Sequence, residues 1–273
     1  MSTEAFHDFE LAGWEKAAAE YDRRFGELTS QSIGPLLDAA GAVPGARLLD
    51  VACGPGHVAA AAARRGASVM GVDFSHAMVE TALKEYPGLE FQIGDAEKLR
   101  FVKESFDAVV MNFGMLHLAR PEEAIAQAYR VLRPGGRYAF TVWEAPERAV
   151  AFGIILESVQ LHGNMDVPLP AGPPFFRFSD SAESLRTLAA AGFINPQTMQ
   201  IPQLWRIESG EALLTTFQTA AVRTAALLRA QTPEALKKIR EEVVARAEKF
   251  RRNDLIELPM PSVLASAVRP GNK

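Results

Sequence analysis

Between Ala46 and Val142 five short apolar runs alternate with helical stretches, and few folds accommodate that rhythm. The runs are Arg47–Val51, Ser68–Val72, Leu89–Ile93, Ala108–Met111 and Tyr138–Val142. Helical spacing fills Val58–Arg65, Ala77–Tyr86 and Glu122–Leu132 between them. The runs are nearly continuous in apolar character, which is the pattern of strands covered on both faces. Strands joined through helices pair in parallel, because the crossover returns the chain to the same edge. The sequence thus predicts an α/β fold with a mostly parallel sheet flanked by helices.

The flanks read differently. Trp14, Ala18, Tyr21, Phe25 and Leu28 make one apolar stripe along an N-terminal helix. A second short helix buries Ile33, Leu36, Leu37 and Ala40 and ends at Gly41. Beyond Trp143 a helix is expected over Ala149–Leu161, then a stretch rich in proline and phenylalanine, Val167–Phe178. Asp180 and Glu183 form a capping-box signature for a helix through Ala191, closed by Gly192. A strand is expected around Thr198–Ile207, a helix from Ser209 through Leu228, and another opened by Thr232–Pro233 through Phe250. Leu258–Val268 reads as a last strand interrupted by prolines. One domain spanning 1–273 accounts for this order: lid helices at 1–45, a core at 46–143, and a substrate-side half at 144–273. A helical insertion at about 209–252 precedes the last strand.

Bulk properties narrow the classes. The chain is 48% hydrophobic and 23% charged, the balance of a globular protein. Met1–Phe9 lacks a basic signal-peptide start, and no apolar run reaches the ~20 residues that span a bilayer, so a cytoplasmic chain without a membrane span is expected. Net charge is −4, which argues against a nucleic-acid partner. Cys53 is the single cysteine and reads as a small buried residue, and His7, His57, His76 and His162 show no metal-ligand spacing, so no metal is expected. Oligomeric state, monomer or homodimer, is not legible.

The chemistry concentrates in Leu48-Leu49-Asp50-Val51-Ala52-Cys53-Gly54-Pro55-Gly56-His57. A buried strand here breaks into a Gly-x-Gly turn that opens a helix. Such a turn brings main-chain N–H groups close to an anionic ligand group. Gly54-x-Gly56-x-x-Ala59 also fits the loose dinucleotide fingerprint, with Asp73 ending the second strand in either scheme. Three features favour a different cofactor: Asp50 before the glycines, unwelcome beside a pyrophosphate, Gly94-Asp95-Ala96 after the third strand, and Pro134-Gly135-Gly136 entering the fifth.

With these motifs the sequence resembles the class I S-adenosylmethionine-dependent methyltransferases, particularly the UbiE-like small-molecule branch, over roughly Ala46–Thr141. The resemblance implies a Rossmann-like sheet of seven strands, S-adenosylmethionine as cofactor and S-adenosylhomocysteine as product. It implies that Asp50, Ala52, Gly54 and Gly56 cradle the methionine part, and that Asp73 accepts from the ribose hydroxyls. Phe74 and Met78 would flank the adenine, with Gly94, Asp95 and Ala96 at its edge. Asn112 and Phe113 would present main chain to the amino group. His117 is a candidate base, cofactor contact or plain pocket histidine, and Tyr21 a candidate to lie over the sulfonium or mere packing. Trp14 reads as lid packing.

No paired-proline amino-base motif, catechol-type magnesium acids or paired-glutamate loop is evident, so a small-molecule methyl acceptor is the remaining expectation. Pro168, Pro170, Phe175, Phe176, Phe178, Trp205 and Phe217 supply apolar walls or ordinary core, which favours an apolar or aromatic acceptor. Arg223 reads as an interhelical ion pair or as a contact to an acid group on the acceptor. Two alternatives stay open: a NAD(P)-dependent oxidoreductase, and a cyclase or sensor that binds S-adenosylmethionine without transferring methyl.

Overall fold

The computed structural model describes residues 3–271; Met1, Ser2, Asn272 and Lys273, the ends of the expected domain, lie outside the described residues. In chain order come α1 (Thr3–Ser30), α2 (Ile33–Ala40), β1 (Arg47–Val51), α3 (His57–Arg64), β2 (Ser68–Asp73), α4 (His76–Glu85) and β3 (Glu90–Ile93). Next are β4 (Phe106–Asn112), α5 (Pro121–Val131), β5 (Leu132–Trp143), α6 (Val150–His162), α7 (Ser181–Ala190), β6 (Ile194–Ile201) and β7 (Leu204–Ile207). The chain closes with α8 (Gly210–Thr219), α9 (Arg223–Arg229), α10 (Pro233–Glu248), β8 (Arg251–Arg252), β9 (Leu255–Pro259) and β10 (Ser262–Val268).

Seven strands form the main sheet in the order β3-β2-β1-β4-β5-β10-β6. The first five run parallel and β10 runs antiparallel between β5 and β6. The parallel strands are those expected from the apolar rhythm, and the seven-stranded Rossmann-like sheet is the one that the resemblance implies. Strand order reverses between β1 and β4, and a crevice opens at the carboxyl ends of strands where such a reversal occurs. Leu49, Val109, Met111 and Phe140 fill one face of the sheet, and Leu36, Leu37, Leu48 and Val110 the other.

Four expectations need correction. The single strand expected at Thr198–Ile207 is two, β6 and β7, and the one at Leu258–Val268 is β9 and β10. Both pairs bend at the same level: Ile201 pairs Ser262 in the main sheet, while Leu204 pairs Pro259 in a second, three-stranded sheet β7-β9-β8. Pro202 and Pro261 sit at the corners, where their missing N–H groups and fixed φ end each ladder. The helix expected from Ser209 to Leu228 breaks at Ala220–Val222. Propensity does not foretell this break, because Val222 leaves the helical line to dock on Gly13 of α1. A Cβ at Gly13 would lie 2.3 Å from Val222 Cγ1. Last, Asp180 caps α7 through the Ala182 N–H, but Glu183 does not complete the box; it pairs with Arg177 and Arg186 instead.

Candidate active site

The carboxyl ends of β1, β2, β4 and β5, with the loop after β3, meet in one cleft of about 1050 Å³ including its open mouth. Ala52, Gly54, Asp73, Phe74, Met78, Gly94, Asp95, Ala96, Asn112 and Phe113 all line it, as do His117 and Tyr21. Topology explains the convergence: each of these except Tyr21, which comes from α1, ends or follows a parallel strand, and parallel strands end together.

Asp50 and Gly56, also expected at the cofactor, do not line the cleft. Asp50 is fully buried and turns beneath α3, where Oδ2 accepts the Ala59 N–H at 3.0 Å. Its Oδ1 has no partner, and burial pushes the carboxyl up to about 8. Gly56 has φ 89°, a left-handed conformation, and a Cβ there would stand 2.8 Å from Phe91 Cζ. Its role is to turn the chain into α3 under that ring.

Asp73 holds the turn from the other side. Its Oδ2 accepts the Gly54 N–H at 2.8 Å and its Oδ1 the Ser75 N–H at 2.9 Å. Burial raises it to about 6, because these N–H bonds only partly offset the loss of water. Ser75, not Asp73, caps α4 by accepting from the Met78 N–H. Asp95 caps the short turn after β3 through the Glu97 N–H, leaving Oδ2 3.7 Å from His7 Nε2. Asn112 is bound through its side chain to Ser32, Thr141 and the Thr29 carbonyl. Phe113 has φ 57° and stacks on Trp143 with ring centroids 4.0 Å apart. Ala52 has φ 53°, so strained backbone occurs at the ends of two adjacent strands on the cleft.

Helix α1 forms the opposite wall with His7, Trp14, Tyr21 and Phe25. Trp14 meets Tyr21 and His117 edge-on, at 5.2 and 4.8 Å between centroids. Burial pushes the Tyr21 phenol up to about 12, so it stays neutral. Carboxylates fasten this helix down. Glu15 accepts the His76 and Ala77 N–H groups at the start of α4. Asp22 lies 2.6 Å from His57 Nε2. Glu10, fully buried, joins His117 at 2.9 Å and Arg223 at 2.7 Å.

Glu10 and His7 were missed in the sequence. Glu10 could have been found, since it stands four residues from both Phe6 and Trp14, a charge inside the apolar stripe. His7, whose buried Nε2 has no hydrogen-bond partner, gives no such signal. Of the aromatic residues expected to wall an acceptor pocket, Phe175 lines the cleft. Behind it Trp205 stacks on Phe25 and Phe217 meets Phe25 edge-on, and Phe178 packs on Phe140, as ordinary core. Arg223 makes the interhelical ion pair, and all its nitrogens are engaged. Cys53 is buried, and burial drives its thiol well above the usual range. Among the described residues no group of three or more His, Cys, Asp or Glu is placed to hold a metal, and no helix is long and apolar enough to cross a membrane.

Residues 49–140 match the methyltransferase domain family, the stretch that builds the strand-end wall. The chain carries a class I, S-adenosylmethionine-dependent methyltransferase domain. It is 40% identical over 111 residues to demethylmenaquinone methyltransferase of Renibacterium salmoninarum, covering 41% of this chain and 47% of that one. The chain thus matches about half the length of this curated relative. Its fold is similar to that of Haemonchus contortus phosphoethanolamine N-methyltransferase 2 solved with S-adenosyl-L-methionine (TM-score 0.59, 18% identity, covering 97% of this chain and 60% of that one). It is also similar to the [4+2]-cyclase SpnF (TM-score 0.54, 19% identity, covering 89% and 82%). Fold alone therefore does not specify the reaction.

Proposed function

We propose that the whole chain transfers methyl from S-adenosylmethionine to a small, apolar or aromatic acceptor held under α1. The carrying observation is the cleft itself, where Asp73, Gly54 and Asp95 face aromatic side chains of a different segment across one space. The residues fit the cofactor: Asp73 and Asp95 supply carboxylates for its ribose and adenine amine, and the unpartnered His7 Nε2 stands beside Asp95. When bound, the sulfonium supplies an activated methyl group. The chain's work is then to orient the acceptor in line with it and exclude water. Trp14, Phe113, Trp143 and Phe152 give that space apolar walls.

Calorimetry separates the readings. S-adenosylhomocysteine should bind, and Asp73→Ala should weaken it by about 1.5–3 kcal/mol, the scale of lost hydrogen bonds to a charged group. Binding of NADH in place of S-adenosylhomocysteine would favour the oxidoreductase. Binding without label transfer from methyl-labelled cofactor to any acceptor in a panel of small aromatics would favour the cyclase or sensor.

A further inference from the structure

A fully buried carboxylate persists only where partners match its charge and fill its lone pairs. For Glu10 one cation suffices, and Arg223 supplies it from Nε at 2.7 Å. Arg223 in turn donates to the Pro173 and Leu116 carbonyl oxygens at 2.8 and 2.7 Å, and its guanidinium lies against the Phe6 and Phe175 rings. The second Glu10 oxygen is thus not needed for neutrality, yet it is aimed at His117 Nδ1, 2.9 Å away. Trp14 and Phe175 meet the His117 ring edge-on and hold its plane, and the ring borders the cleft. Fixing an imidazole through one nitrogen decides which nitrogen is left for chemistry.

We propose that Glu10 is a positioning residue: from the lid helix it holds His117 protonated at Nδ1, so that Nε2 stands bare toward the cleft as the base for an acceptor hydroxyl. The proposal rests on the methyl-transfer reading of the cleft and names the acceptor class, an aromatic bearing an ionisable hydroxyl. Such a group enters apolar walls neutral and must lose its proton to become a good nucleophile, whereas a free amine need not. The hydroxyl proton passes to Nε2 while the acceptor oxygen forms its bond to the methyl carbon; the carbon–sulfur bond breaks and its electron pair stays on sulfur. Positive charge leaves the sulfonium as it appears on His117, so the total charge of the cleft is unchanged. Because Glu10 rides on α1, the base is assembled only while that helix is seated.

The first test needs no cofactor. Imidazole-nitrogen NMR of the histidine-labelled full chain should show His117 with its proton on Nδ1, and Glu10→Gln should weaken that preference; a proton on Nε2 in the wild-type chain overturns the proposal. The second uses para-substituted phenols of graded acidity as acceptors. His117→Ala should lower kcat for weakly acidic phenols about 100-fold or more, and Glu10→Gln should lower it less, with KM little changed. Para-nitrophenol, already ionised, should lose far less in both variants. Equal losses across the series, or a wild-type enzyme that methylates amines but no phenol, overturns the proposal. S-adenosylhomocysteine affinity is measured in parallel: its absence in the wild-type chain would defeat the parent reading, whereas its retention with unaltered variant kinetics defeats only this one.

Discussion

The two walls of the cleft hold buried carboxylates in opposite ways. At the strand ends, Asp73 on the cleft and Asp50 behind it have only N–H donors for partners, and burial lifts them to about 6 and about 8. On the lid wall, burial would likewise raise Glu10, but His117 and Arg223 outweigh it and hold Glu10 below the usual carboxylate range. The difference follows from what fixes each wall. Sheet hydrogen bonds already hold the strand ends, so Asp50 can shape the turn as a neutral acid and Asp73, ionised at neutral pH, needs no cation beside it. The lid has no such ladder, and ionised side chains hold it down. Similarity to known relatives follows the same division, since the family match covers residues 49–140 and stops short of the lid.

The largest expected effect lies on the lid. Glu10→Ala strands Arg223 in an apolar setting and should cost roughly 3–5 kcal/mol of stability, read from urea midpoints. Asp50→Asn at neutral pH mimics the protonated acid and should cost far less. Equal losses would erase the contrast between the walls.

The next effect is in pH. The carboxyls of Asp50 and Asp73 are raised in the native chain, so from about pH 4 to about 8 it binds protons that the unfolded chain has released. Their contribution is complete in acid and is lost as pH rises through that window. Glu10 is lowered, so its contribution is present above the ordinary glutamate range and lost as pH falls through its native value. From these three groups, stability of the unliganded chain should therefore peak near the ordinary carboxylate range, about pH 4–5, and fall toward neutrality. Asp50→Asn should flatten the alkaline slope, and a slope unchanged by it would refute the assignment. Smallest is Glu15→Ala, which removes a charge from the start of α4 and should cost about 0.3–1 kcal/mol in thermal unfolding.

Legibility in the sequence divided along the same line. Continuous apolar strands, Gly54 and the acids at strand ends announce their places because local chemistry and topology agree there. Even so, the inward turn of Asp50 was hidden, since sequence shows that an acid ends a strand but not which way its carboxylate points. On the other side, the break at Ala220–Val222 goes with the room that Gly13 leaves for Val222, a relation between residues 209 positions apart. The bends at Pro202 and Pro261 had local markers, but the second sheet they create requires both strands to bend in register. Glu10 was readable as a charge in an apolar stripe; its partners were not.

Helix α1 runs from His7, beside Asp95, to Phe25, which stacks on Trp205. One rigid rod therefore roofs both ends of the cleft, and Val222 seated on Gly13 bolts the cap to its middle. Under the proposed function, cofactor and acceptor have no separate doors on that side. Traffic through the site is then tied to a single gate, so substrate entry and product release should both wait on the lifting of that rod.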